Sequence, residues 1–172
     1  MHLPFQALMN MDKAISGMPR WSKPEGADKS IKLSAPIEVE ESTLQGFFLK
    51  GRARIDTPDA DISFTMTYLP PGTKRDGVTL DRIDWRPKTP HENTDDNAPD
   101  HLYLLEIDGT HRHSFELNWR PKIGTPLKWM PVAEPIVPDY QSFAEILEGV
   151  QNLFRISNIE LIPEPDWDIG LF

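Results

Sequence analysis

Apolar and polar residues alternate most regularly in two consecutive segments, 44–55 and 62–69. In the first segment one face holds Phe47, Leu49, Gly51, Ala53 and Ile55, and the other holds Phe48, Lys50, Arg52 and Arg54. In the second, Ile62, Phe64, Met66 and Tyr68 alternate with Ser63, Thr65 and Thr67. A period of two residues is typical of a half-buried strand. Because the turn-forming sequence Asp-Thr-Pro-Asp separates them at 56–59, the two segments predict a β-hairpin.

Other segments show weaker strand patterns. Residues 31–39 contain Pro36, which predicts an edge strand, and residues 78–85 predict the strand that follows the hairpin. Residues 101–107 and 110–119 flank Asp108-Gly109, a turn sequence that predicts a second hairpin. Residues 159–162 predict a last short strand.

Two segments predict helices. Residues 3–16 predict a short amphipathic helix with Pro4 in its first turn. Residues 140–156 have apolar residues at the helical spacing i, i+3, i+4, i+7, with Asp139 as the expected N-cap. The predicted fold class is therefore α+β: an antiparallel, meander-like sheet of about five or six strands, packed by a C-terminal amphipathic helix and a short N-terminal helix.

The length of 172 residues predicts one domain. Within this domain, residues 87–100 hold three prolines and many turn formers, which is typical of a mobile surface loop. Residues 120–138 hold five prolines, which prevent any long continuous element.

Composition narrows the chemistry. The chain has no cysteine, which excludes disulfides, thiolate metal sites and a cysteine nucleophile. No apolar run approaches the ~18 residues that span a bilayer, and the N-terminus lacks the basic region of a signal peptide, so we expect a cytoplasmic protein and no membrane partner. The 27 acidic and 18 basic residues give a net charge of −9, which argues against general binding to duplex DNA.

Histidine is the remaining reactive group. If 101–107 and 110–119 form a three-residue-loop hairpin, His101, Tyr103, His111 and His113 share one face. The three histidines could hold a divalent metal, or could act as acid and base in metal-free RNA cleavage assisted by Tyr103. His91 and Glu92 in the loop could complete such a site, although a loop histidine is usually solvated. The alternative is a half-buried, hydrogen-bonded face without function.

A second group of residues is basic. The charged face of 44–55 carries Lys50, Arg52 and Arg54, and the sequence Trp-Arg-Pro-Lys occurs twice, at 85–88 and 119–122. If the strands form a meander, both copies leave the sheet at the same end. Phosphate groups and single-stranded bases could then bind this surface. The alternative is a solvated strand face. The predicted binding residues are Lys50, Arg52, Arg54, Trp85, Arg86, Trp119 and Arg120.

No glycine-rich phosphate loop, G-x-S-x-G, H-E-x-x-H or EF-hand spacing is present, and no cofactor is predicted. Two classes of function remain. The first is a small, acidic accessory protein of bacterial type that binds a protein or a nucleic acid through a sheet face or acidic loops. The acidic loops could bind a basic surface of a protein partner, and the nucleic acid could be single-stranded. The second is a histidine-dependent ribonuclease-like or metal-dependent phosphodiester hydrolase that uses His101, His111 and His113. The sequence leaves the oligomeric state open.

Overall fold

A computed structural model describes residues 5–72, 77–168 and 170 of the chain. Its main feature is a seven-stranded sheet with the order β1-β2-β3-β4-β5-β8-β11, and every paired strand in it runs antiparallel. The strands of this sheet are β1 (Ala14–Ile15), β2 (Ser30–Val39), β3 (Ser42–Arg54), β4 (Ile62–Tyr68), β5 (Val78–Trp85), β8 (His111–His113) and β11 (Glu134–Pro135). Two ribbons lie outside it: β6 (His91–Glu92) with β7 (Glu106–Ile107), and β9 (Trp119–Arg120) with β10 (Thr125–Pro126).

The predicted hairpin is confirmed as β3 and β4, in the register that pairs Leu49 with Met66 and Gly51 with Phe64. Apolar side chains of β3 and β4 are buried on one face, whereas Lys50, Ser63 and Thr65 remain partly exposed on the other. The strand predicted at 78–85 is confirmed with the same bounds. The predicted edge position of 31–39 is nearly met, because only the two residues of β1 pair with the outer side of β2.

The core lies between the inner face of the sheet and a layer of helices: α1 (Phe5–Asn10), α3 (Phe143–Phe154) and a 3₁₀ helix (Ile159–Leu161). Helix α3 contributes Phe143, Ile146, Val150 and Phe154, which follow the helical spacing of the apolar residues. Buried Lys13 donates from Nζ to the carbonyl oxygens of Leu8, Met9 and Met11, and so completes the C-terminal end of α1. The α+β class is therefore confirmed.

Several expected elements differ. The N-cap of α3 is Ser142, whose Oγ accepts from Glu145 N, and not Asp139, whose carboxylate binds Thr110 and Arg86. Residues 159–161 form the 3₁₀ helix instead of a strand. The N-terminal helix ends at Asn10, earlier than predicted.

The predicted hairpin of 101–107 with 110–119 is wrong. Residues 100–104 form turns, β7 pairs with β6, and β8 pairs with β5 on one side and β11 on the other. A four-residue helix, α2 (Phe115–Asn118), then interrupts the segment predicted as a strand. The two Trp-Arg-Pro-Lys sequences consequently do not end neighbouring parallel strands: Trp85 ends β5, and Trp119 begins β9 in a separate ribbon.

The segment 87–100 contains β6 and is tied to the body by Asn93. This side chain is fully buried, donates to the carbonyl oxygens of Leu102 and Ala133, and accepts from Ala133 N. Among the helices of the described residues, none is long and apolar enough to cross a membrane.

Candidate metal centre

Three histidines from two strands lie together at the outer face of the sheet. His91 comes from β6, and His111 and His113 come from β8. One ring nitrogen of each lies within 4.8 Å of those of the other two. The ring centroids are 4.6 Å apart for His91 and His113, 5.0 Å for His111 and His113, and 5.4 Å for His91 and His111. We call these three residues the histidine cluster.

Strand geometry explains the position of two members. Alternate residues of a strand point to the same face, so the H-x-H sequence of β8 places both imidazoles on one side of the sheet. The turn before β8 contains Gly109 with a φ of 118°, a conformation that glycine adopts without strain. On the neighbouring strand β5, Asp84 is opposite His111 and Arg82 is opposite His113.

Backbone carbonyl groups fix the orientation of the rings in β8. Nδ1 of His111 lies 2.8 Å from the carbonyl oxygen of Gly109, and Nδ1 of His113 lies 2.6 Å from that of Met130. Because a carbonyl oxygen only accepts, each Nδ1 carries the proton and donates it. In its neutral form each ring therefore keeps an unprotonated Nε2. This arrangement is common for histidines that bind metals.

His91 is oriented by the opposite nitrogen. Its Nε2 lies 3.1 Å from Asn93 Oδ1 and 3.0 Å from the carbonyl oxygen of Pro131. The amide of Asn93 has a defined orientation, because its Nδ2 donates to two carbonyl groups and its Oδ1 accepts from Ala133 N. Nε2 of His91 is thus the donor, and its Nδ1 is the nitrogen left unprotonated in the neutral ring.

A buried carboxylate adjoins the cluster. Oδ2 of Asp84 lies 3.4 Å from His111 Nε2 and 3.3 Å from His113 Nε2, and 2.8 Å from Arg82 Nε, whose aligned hydrogen bond goes to Oδ1. Within the described residues this Oδ2 accepts no well-aligned hydrogen bond. Burial raises the pKa of Asp84, but the two histidines and Arg82 outweigh burial and hold the pKa far below its ordinary range. Asp84 is therefore ionised.

Two of the three imidazoles favour the neutral state. Burial lowers the pKa of His113 below the ordinary value of 6.5, although Asp84 opposes this change. Burial also lowers the pKa of His91, and the adjacent His113 contributes in the same direction. Both rings are consequently unprotonated at neutral pH, which is the form that binds a metal ion.

The cluster opens into a cavity of about 320 Å³. Trp129 stands at this cavity with 79% of its surface exposed. Lys88 and Arg82 supply positive charge, and Asp61 supplies a second carboxylate. The full lining is Asp61, Arg82, Asp84, Pro87, Lys88, Thr89, Pro90, His91, His111, His113 and Trp129.

The structure brings together only part of the predicted histidine site. His111 and His113 are adjacent, as predicted, but His101 and Tyr103 lie exposed in the turn at 100–104 and do not belong to the cluster. His91 occupies the third position. The sequence indicated His91 only as a residue that could complete the site, and no local pattern pointed to Asp84, Arg82 or Trp129. Asp84 and Arg82 approach the histidines only because β5 pairs with β8.

The predicted basic surface is also divided. Lys50, Arg52 and Arg54 share the outer face of β3, where Arg52 pairs with Asp28 and Arg54 with Asp56. The other predicted binding residues are engaged internally. Trp85 is fully buried and donates to Tyr140 O, Arg86 binds Asp139 and Tyr140 O, Trp119 packs on Phe115, and Arg120 binds Asp95.

Comparison with protein-family models found no match to this chain, and comparisons with curated proteins and with solved structures found no significant match.

Proposed function

We propose that this protein is a metal-dependent phosphodiester hydrolase whose divalent ion is bound by His91, His111 and His113. The observation that carries the proposal is the histidine cluster itself, in which one ring N–H of each histidine donates a hydrogen bond to a fixed oxygen while the cluster opens into a polar cavity. Imidazole nitrogens suit zinc, iron, nickel and copper. Three protein ligands with an accessible further position are typical of a catalytic metal site.

The electrostatics of the cluster favour a cation at its centre. Nε2 of His111 and Nε2 of His113 each lie within 3.4 Å of the ionised Oδ2 of Asp84, so this arrangement needs a positive charge, either a proton or a metal ion, between these atoms. His91 would complete the set, because one of its ring nitrogens lies within 4.8 Å of the ligand nitrogens of the other two.

The charged groups around the cavity support a phosphate substrate. Arg82 donates a hydrogen bond from Nε to Asp84, and no described residue accepts a hydrogen bond from its Nη atoms. Lys88 adds a second cation. Both can bind non-bridging phosphate oxygens and stabilise the charge that develops there during hydrolysis.

The reaction needs only water and the ion. An ion held by His91, His111 and His113 would lower the pKa of a bound water to about 7 and would so supply hydroxide at neutral pH. The hydroxide oxygen would form a bond to phosphorus while one phosphorus–oxygen ester bond breaks. The departing alkoxide takes a proton from solvent, and the products are a phosphomonoester and an alcohol.

A titration and an activity assay test this proposal. We expect metal-stripped protein to bind one equivalent of Zn²⁺, Mn²⁺, Fe²⁺ or Ni²⁺ by calorimetry, and the reconstituted protein to hydrolyse bis(p-nitrophenyl) phosphate. His113→Ala and His91→Ala should abolish both properties, whereas His101→Ala, which changes a histidine outside the cluster, should leave both unchanged. Circular dichroism establishes that each variant is folded, and His91 is the safer position because it is only half-buried.

The outcomes are distinct. Tight binding of a metal without hydrolysis removes the enzymatic proposal and leaves a metal-binding protein. Cleavage of RNA that persists in EDTA but needs His111 and His113 favours the metal-free acid–base alternative. Equal loss in His101→Ala and His113→Ala contradicts the assignment of the ligands. That the chain is an accessory protein that binds a partner stays a prediction.

A further inference from the structure

The outer face of the sheet is polar from β2 to β8 and leads to the histidine cluster. Strand pairing aligns one row of residues across this face, Lys32, Arg52, Ser63, Asp84 and His111. A second row consists of Ser34, Lys50, Thr65, Arg82 and His113. Each row crosses five strands, and at about 4.8 Å per strand it is roughly 19 Å long. Both rows end on metal-ligand candidates.

The end of the face remote from the cluster contains a depression of about 370 Å³. Its polar lining residues are Lys32, Ser34, Lys50, Arg52, Ser63 and Thr65. The helices pack on the opposite side of the sheet, against the core residues of β2 to β5. We call this surface, from Lys32 to Arg82, the polar sheet face.

Its positive charges are accessible to an anion. Lys50 has no acidic partner within the described part of the chain. Lys32 pairs with Glu25 and Arg52 with Asp28, but all four side chains are exposed by 45–63%. Exposed ion pairs contribute roughly 0–1 kcal/mol, so a phosphate group can replace such an acidic partner at little cost.

Aromatic residues stand near both ends. Phe48 lies on the same face of β3 as Lys50 and is partly exposed, and Trp129 stands at the cavity of the cluster. Such rings can stack on unpaired bases, a contact that contributes about 1–3 kcal/mol per base.

We infer that the polar sheet face binds single-stranded nucleic acid and directs it to the histidine cluster; this inference rests on the proposed function, because it names the substrate class of the same site. Phosphates would contact Lys32, Lys50, Arg52 and Arg82, and bases would stack on Phe48 and Trp129. Only a few cations are available on a protein of net charge −9, which disfavours a duplex with its denser phosphates.

Binding can be measured without cleavage. Fluorescence anisotropy of a labelled oligouridylate of ~6 nucleotides is recorded in EDTA with the wild-type protein, two charge-reversal variants and one variant that neutralises a charge. We expect Lys50→Glu to weaken binding about fivefold or more, and Lys50→Gln to reduce the slope of log K against log salt by about 0.7. Arg20→Glu is the matched control, because Arg20 is exposed next to Trp21, which packs on the opposite face of the sheet at Gly51. It should change binding less than about twofold.

The two proposals fail separately. No binding of the oligonucleotide, equal losses in Lys50→Glu and Arg20→Glu, or tighter binding of a duplex overturns the inference. Hydrolysis of bis(p-nitrophenyl) phosphate in the same preparation then still supports the proposed function. The converse result is that binding of the oligonucleotide depends on Lys50 while the protein shows no hydrolysis with any of the four metals. That result supports the polar sheet face as a binding surface and contradicts the proposed hydrolase activity.

Discussion

At the scale of single residues, the protonation of the histidines controls the proposed metal site. Burial lowers the pKa of both His91 and His113 below 6.5, so a metal ion competes with protons only in more acidic solution. We expect the metal association constant, measured by calorimetry from pH 5 to pH 8, to be constant above about 6.5 and to decrease below the lowered pKa values.

The sign of this dependence follows from the direction of the shifts. A histidine with a raised pKa would bind protons already above 6.5, and the association constant would then fall throughout the neutral range. Such a fall would contradict neutral, buried ligands. Asp84→Asn is informative in the same measurement, because it removes the carboxylate charge beside the ion while nearly keeping the shape, and it should lower the association constant at every pH.

The sequence predicts that histidines form the site more readily than it predicts which histidines and which other residues belong to it. Alternation along a strand is a local property, so the shared face of His111 and His113 follows from their spacing. The place of His101 was assigned through a hairpin that does not form. His91, Asp84 and His113 meet through contacts distant in the chain, and no local pattern reports such a contact.

At the scale of elements, buried Asn93 holds β6 against two other segments and also orients His91. We expect Asn93→Ala to lower the free energy of unfolding by about 2–3 kcal/mol, since it leaves buried backbone groups of Leu102 and Ala133 without partners. It should also weaken metal binding about 10- to 100-fold, because His91 loses an acceptor at Nε2. Urea unfolding and calorimetry measure the two effects.

Asn118 offers a matched control. It is equally buried and bridges backbone in the same manner, donating to Ser114 O and Val132 O and accepting from Val132 N, but its side chain forms no hydrogen bond to a histidine among the described residues. Asn118→Ala should therefore cost similar stability and leave the metal affinity of the folded protein unchanged. If both variants lose affinity equally, Asn93 acts only through general stability.

The elements that the sequence predicts well are those with strong local periodicity. Strands β3, β4 and β5 and helix α3 bury one regular face, so their patterns identify them. The segment 101–107 is followed by a turn sequence, but its backbone forms hydrogen bonds with another segment. Leu104 N donates to Asn93 O, and Leu105 O accepts from Asn93 N. These bonds connect it to β6, and β8 is left to pair with β5. Long-range pairing of this kind overrides the local turn signal.

At the scale of the whole molecule, the net charge of −9 gives little information about any one surface. Basic residues of β2, β3 and β5 gather on one side of the sheet because the strand register aligns them in rows. The sequence predicted the cationic face of β3 but not its continuation to the histidines. That continuation needs the sheet order, in which β8 joins β5 rather than a neighbour in sequence.

The histidine cluster also lies between the main sheet and the small ribbon of β6 and β7, which differ in how extensively their strands are paired. Strands β2 to β5 pair along most of their length over the core, whereas β6 and β7 pair through only two residues each. A metal ion bound by His91, His111 and His113 would therefore cross-link the small ribbon to the main sheet. Its binding free energy would chiefly oppose local opening of this ribbon.

Hydrogen exchange detected by mass spectrometry can localise this effect. We expect saturating Zn²⁺ to slow exchange in peptides that cover β6, β7 and β8, relative to the same protein in EDTA. Peptides from β3 and β4 should show little change, because their amides exchange through global unfolding, which is too rare to be detected within the labelling time with or without the ion. His91→Ala is the control, because this variant has no ligand on the ribbon and should no longer bind the ion, so zinc should not slow its exchange. Slower exchange that is uniform along the chain, or that persists in His91→Ala, would mean that the ion does not connect β6 to the sheet.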